Sequence, residues 1–147
     1  MVYTLPVLLY RCNTWTVTKK LSERIDALDM WCQRRILRIP CTRHVTNAEV
    51  RSTTGCSASS KLVRMRRLQL FGHLARKSHE KDHHRVVVAA MSNSPAGWKK
   101  PRGRPRDTWS RTVSQDIQPF STGVHSAWRF TADCQQWRQV VDTTMLQ

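Results

Sequence analysis

The stretch SSKLVRMRRLQLFGHLARK, Ser59 to Lys77, decides the fold class. Its apolar residues Leu62, Met65, Leu68, Phe71 and Ala75 recur every three or four positions, the period of an amphipathic helix, while Lys61, Arg64 and Arg67 share another face. The segments on either side read the same way. Thr18 or Ser22 can cap a second helix in which Leu21, Ile25, Leu28, Cys32, Ile36 and Ile39 form a stripe. Pro40 ends it, and its other face carries Arg24, Arg34, Arg35 and Arg38. Thr46 with Glu49 has capping-box spacing for a short helix that Gly55 stops. Tyr3 to Trp15 reads as a short buried helix, with Pro6 where a first turn tolerates it. Arg85 to Met91 reads as helix because no second alternating strand exists to pair with it. Further helices are expected from Pro105 through Asp107, Trp109, Val113 and Ile117, and over Ser126 to Met145, with Phe130, Cys134, Trp137 and Val141 on one face. The expected class is all-α: a small irregular helical bundle, an extended basic linker and a C-terminal helical segment. The divisions fall at 1–91, 92–106 and 107–147.

Composition narrows what such a bundle is for. The chain has 147 residues, 25 of them Lys or Arg against 10 Asp or Glu, a formal charge of +15. Leu, Ile, Val and Phe make up 31 residues, about 21%, just above the roughly 20% below which a highly charged chain stays disordered. The core must be thin. Of the basic residues 18 are Arg, whose planar fork suits phosphates and base edges. Residues 61–111 hold a net +11, residues 1–60 a net +5 and residues 112–147 a net −1. An acidic polymer is the natural partner, nucleic acid first, with its contact surface in the middle third. No apolar run approaches the roughly 18 residues of a membrane span, and the N-terminus lacks the basic region and cleavage site of a secretory signal. Cys12, Cys32, Cys41, Cys56 and Cys134 are odd in number and widely spaced, which suits reduced thiols better than a disulfide framework.

The most specific short motif is Lys100-Pro101-Arg102-Gly103-Arg104-Pro105-Arg106. Gly103 lets the backbone approach a groove floor, and Arg102 and Arg104 then reach along a narrow A·T-rich minor groove, as in an AT-hook. The same residues, with Lys99, also read as a flexible basic linker or a nuclear-localisation cluster. His79, His83 and His84 have tempting spacing, but no second ligand pair completes a zinc site, and a solvated loop explains His83 and His84. No metal or cofactor is therefore expected. No phosphate loop, nucleophile elbow or carboxylate dyad appears, so no catalytic residue is assigned. Trp15, Trp109 and Trp137 read as core anchors, whereas Trp31 and Trp98 flank basic residues and are the candidates for stacking on unpaired bases.

The order of motifs carries a family resemblance. LLYRCNTWTVTKK (Leu8 to Lys20), MWCQRRILRIP (Met30 to Pro40), VTNAEV (Val45 to Val50), RMRRLQLFGHLAR (Arg64 to Arg76), RGRPRDTW (Arg102 to Trp109) and ADCQQWRQVV (Ala132 to Val141) together resemble the region after the polymerase domain of non-LTR, LINE-type retrotransposon reverse transcriptases. The resemblance spans nearly the whole chain, about Leu5 to Val141. It implies a helical, thumb-like segment that helps hold template RNA and target DNA. Arg34, Arg35, Arg64, Arg66, Arg67, His73 and Arg76 are the contacts it carries over. Arg38, Lys61, Lys99, Lys100, Arg102, Gly103, Arg104 and Arg106 join them on charge and motif. The Gly-Arg-Pro and Trp109 positions match the family too, which weakens the separate AT-hook explanation. Arg11 stands where Gly or Ser is usual, Asn13 where Glu is common and Cys134 where Arg is usual, departures that suggest a decayed or domesticated copy.

The family's paired-Asp loop and its endonuclease domain lie upstream of the matched region. The resemblance therefore implies a non-enzymatic, nuclear, nucleic-acid-binding remnant. Two alternatives stand beside it: a non-functional fragment dependent on upstream polymerase structure, or an AT-hook-type DNA-binding protein. In the fragment reading the N-terminal apolar helix is left exposed, open to the polymerase domain or to self-association.

Overall fold

The computed structural model describes residues 4–92, 97–99, 102–103, 106–120 and 123–146. Among these residues there are eight α-helices and no strand, so the protein is all-α. In chain order they are α1 (Thr4–Leu8), α2 (Lys19–Ile36), α3 (Asn47–Thr54), α4 (Ser59–Ala75), α5 (Asp82–Met91), α6 (Trp109–Ile117), α7 (Val124–Phe130) and α8 (Cys134–Leu146). Short 3-10 turns at Cys12–Thr14 and Gln118–Phe120 complete the described elements.

Helix α4 is the axis around which the others gather. On one side Leu68 and Phe71 pack with Val113 and Ile117 of α6, Ala127 of α7, and Trp137 and Val141 of α8. On the other, Val63 meets Leu9 and Cys12 from the N-terminal turn, with Leu5, Trp15 and Val17 at the margin. The residues α4 buries are Ser59, Val63, Arg67, Leu68, Phe71 and Gly72, a stripe displaced from the expected one. The displacement has a cause: α4 is flanked on both sides, so Leu62 and Met65 serve the edges of two different clusters. Residues 107–147 supply five of the seven buried members of the larger cluster, and α4 supplies the other two.

At Gly72 the backbone of α4 lies directly against the Trp137 side chain of α8. A Cβ there would collide with the Trp137 indole. The indole Nε1 donates to the Leu68 carbonyl at 3.0 Å, satisfying a buried donor at the contact. Phe71 meets Trp128 edge-on at 5.2 Å and Trp137 at 5.7 Å between ring centroids. Trp109 donates Nε1 to the Asn13 carbonyl at 2.8 Å and ties α6 to the N-terminal turn.

Local chemistry sets the helix ends. Thr18 caps α2, its hydroxyl accepting from Leu21 N–H. Around α3 the capping box is complete: Thr46 and Glu49 satisfy each other's backbone N–H, and Gly55 takes φ +63 at the far end.

Four expectations need correction. Tyr3 to Trp15 is not one buried helix: α1 ends at Leu8, a 3-10 turn follows at Cys12–Thr14, and Val7 and Tyr10 are exposed. The stripe assigned to α2 does not face the core: Leu21, Leu28 and Ile36 are 43%, 45% and 54% exposed, while Asp29, Met30 and Gln33 are buried. A polar face can be buried here because Gln33 Nε2 donates to Asp29 at 3.1 Å and Gln33 Oε1 accepts from Thr54 at 2.9 Å. The single helix expected over Ser126 to Met145 is two. Thr131 is buried with its hydroxyl on the Trp128 carbonyl, and the Asp133 carboxylate accepts from Gln135 and Gln136 N–H to start α8 afresh. Phe130 and Cys134 consequently point to solvent. Finally, His84 is not in a solvated loop. It lies on α5, 3% exposed, against Trp128 and the Leu74 carbonyl.

Candidate nucleic-acid interface

The basic residues of α4 divide into two sets. Arg64 and Arg67 face α6. The Arg67 side chain, 5% exposed, donates Nε to Asp116 Oδ2 at 2.6 Å and Nη1 to the Trp15 carbonyl at 3.2 Å. Arg64 lies 3.5 Å from the other Asp116 carboxylate oxygen and donates to the Asp116 backbone carbonyl at 2.6 Å. Burial pushes the Asp116 carboxyl above its ordinary range, against the opposing pull of Arg67 and Arg64. These two arginines clamp α4 to α6, and the Arg67 guanidinium is committed to partners within the fold. Lys61 lies half-buried in the cleft beside them, which Lys19, Ser22 and Gln115 also line.

The second set runs along another edge of α4. Arg66, Gln69 and His73 follow one another at helical spacing, all exposed, and line a groove of about 470 Å³ with Leu9, Arg11, Asn13 and Leu70. Arg66 is held in place by donating Nη1 to the Leu9 carbonyl at 3.0 Å. Beneath it, burial pushes the Cys12 thiol up, with Arg66 pulling the other way. Gln69 also borders a second groove of about 210 Å³, lined by Arg76, Cys134, Trp137, Arg138 and Val141. Arg76 donates to the Thr131 carbonyl at 3.0 Å and remains exposed. Sharing Gln69, the two grooves form a basic track: Arg11, Arg66, His73, Arg76, Arg138.

The remaining expected residues are not part of that track. Arg34 is half-buried and holds the start of α3 through the Val45 carbonyl at 2.9 Å and Asn47 Oδ1 at 2.7 Å. Arg35 is exposed, its guanidinium 5.6 Å from the centre of the Trp31 ring, and Trp31 is itself 59% exposed. Arg38 is exposed at φ +53, in the turn after α2. Lys99, Arg102, Gly103 and Arg106 are exposed, and Gly103 has φ +116. Lys100, Pro101, Arg104 and Pro105 lie outside the described residues, and with them half of the AT-hook core.

Arg11 and Arg138 were missed on sequence. Arg11 carried no periodic signal, because a 3-10 turn and not a helix presents it. Arg138 sits in the segment whose net charge is −1. Among the described residues no group of three or more His, Cys, Asp or Glu side chains is placed to hold a metal ion, and no helix is long and apolar enough to cross a membrane.

No family model matches the chain, and no solved structure matches it. It is similar to an uncharacterized transposon-derived protein of Caenorhabditis elegans, with 28% identity over 144 residues. The alignment covers 93% of this chain and 50% of the relative, so the chain spans about half of that protein's length. The similarity supports a transposon origin.

Proposed function

We propose that the chain is a nucleic-acid-binding remnant of a non-LTR retrotransposon reverse transcriptase, acting in the nucleus on template RNA or target DNA without chemistry of its own. The observation that carries this reading is the track along α4, where Arg66, His73 and Arg76 meet Arg11 and Arg138 from other elements. Five basic or hydrogen-bonding side chains strung across two adjoining grooves, from the N-terminal turn along α4 to α8, suit successive phosphates better than a compact ligand. The transposon-derived relative supports the origin. Titration of labelled duplex, single strand and RNA at several salt concentrations tests the reading. Log affinity should fall linearly with log salt, by about 0.9 for each duplex phosphate neutralised. Arg66→Ala with Arg138→Ala should flatten the duplex slope by about 1.8. Absence of binding to all three ligands at low salt ends the proposal.

A second reading, a fragment that needs an upstream domain, draws on Val7 and Tyr10, 77% and 67% exposed at the N-terminal turn. It expects the isolated chain to melt without a cooperative helical transition in circular dichroism, and a sharp transition counts against it.

A further inference from the structure

Tyr10 stands out from the N-terminal turn although both of its surroundings are fixed. Leu9 before it is 5% exposed and Cys12 beyond it is fully buried, both within the cluster around Val63. Arg11 between them adopts φ +52, ψ +20, a left-handed conformation that is strained for a non-glycine residue. The outcome of that turn is specific. Its guanidinium lies 5.5 Å from the centre of the Tyr10 ring, while the same side chain lines the groove that holds Arg66, Gln69 and His73.

We propose that Tyr10 and Arg11 form a stacking corner for an unpaired base, whose flanking phosphates lie in the groove beside Arg66 and His73. The proposal rests on the nucleic-acid reading and narrows it to single strands. In a duplex the base faces are covered by their neighbours, so only the phosphates are on offer and an exposed tyrosine ring gains nothing. An unpaired base presents a face of its own, and an aromatic ring with an arginine against it is the combination that binds such faces without regard to sequence. Asn13 and Gln69, at the groove wall, add hydrogen-bonding groups that suit sugar and phosphate oxygens.

The test compares the full chain with its Tyr10→Ala and Tyr10→Phe variants by fluorescence anisotropy, on labelled oligo(dT) and on a blunt duplex in the same buffer. Tyr10→Ala should weaken oligo(dT) binding roughly 5- to 150-fold, the range for loss of one stacked base, and leave duplex binding unchanged. Tyr10→Phe should bind both as the unaltered chain does. Equal losses on both ligands, or no loss on oligo(dT), overturn the stacking corner while the broader function stands. Unchanged binding coupled to loss of self-association in sedimentation overturns it in favour of a protein contact. Failure of the unaltered chain to bind oligo(dT) overturns this inference, and failure on duplex and RNA as well overturns the broader function with it.

Discussion

Gly72 is a residue where the ordinary rule for helices reverses. Replacing a mid-helix glycine by alanine stabilises an exposed helix by about 1 kcal/mol. Here the added methyl meets the Trp137 indole, whose position is fixed by its bond to the Leu68 carbonyl. Overpacking of this kind costs about 1–3 kcal/mol, so Gly72→Ala should lower the melting temperature by a few degrees. A melting temperature at or above that of the unaltered protein would mean that the indole gives way. Arg11 presents the opposite case. Glycine relieves a left-handed strain of about 1–2 kcal/mol and returns about 0.5–1 kcal/mol in chain entropy. Arg11→Gly should therefore raise thermal stability slightly and weaken nucleic-acid binding, and chemical denaturation paired with a binding titration reads both. A gain or a loss in both properties together would contradict the assignment.

Between elements, the α4–α6 clamp is the contact most sensitive to charge. Asp116→Ala leaves Arg67 buried with no counter-charge, and removing one partner of such a pair costs about 3–5 kcal/mol. The expected result is a large loss of urea resistance, with the cooperative transition moved to much lower denaturant. At α3 the relevant variable is pH. The Thr46 backbone N–H and hydroxyl hold the Glu49 carboxyl below its ordinary value of 4.5. A lowered folded-state value means the cap's contribution is complete above 4.5 and disappears as pH falls through the lower value. The protection of the Val50 and Arg51 amides, measured against their intrinsic exchange rate at each pH, should fall on acidification through that range, and Glu49→Gln should remove the dependence. This cap was legible in the sequence because every group it uses lies within four residues. So was the Gly55 stop. The face of α2 was not legible, since Gln33 becomes a core residue only through Thr54, 21 positions away. Arg67 reads on sequence as a nucleic-acid contact for the same reason: the acid that draws it inward lies 49 residues along the chain. The break before α8 did leave a local signal, in Thr131 and Asp133, which the apolar spacing across it obscured.

At the scale of the whole molecule, the basic track exists because α4 has partners on both sides and still keeps one edge open. The apolar residues that α4 buries, Val63, Leu68 and Phe71, belong to the two clusters flanking that edge, which is left to Arg66, Gln69 and His73. Trp137→Ala should be the most damaging single truncation in the core, at about 3–5 kcal/mol, since it opens the α4–α8 contact and removes the bond from the indole to the Leu68 carbonyl. Loss of a cooperative thermal transition would be its signature, and a transition within a degree or two of the unaltered protein would refute the central role given to α8.

The position of α8 in the chain has a consequence during synthesis. Leu68 and Phe71 leave the ribosome early, but Trp137 and Val141, which cover them, follow roughly 70 residues later. At about 5–20 residues per second, the nascent protein spends several seconds with its main apolar surface open. Premature termination anywhere ahead of α8 makes that interval permanent. Removing roughly the last tenth of the polypeptide would thus unfold far more than a tenth of it.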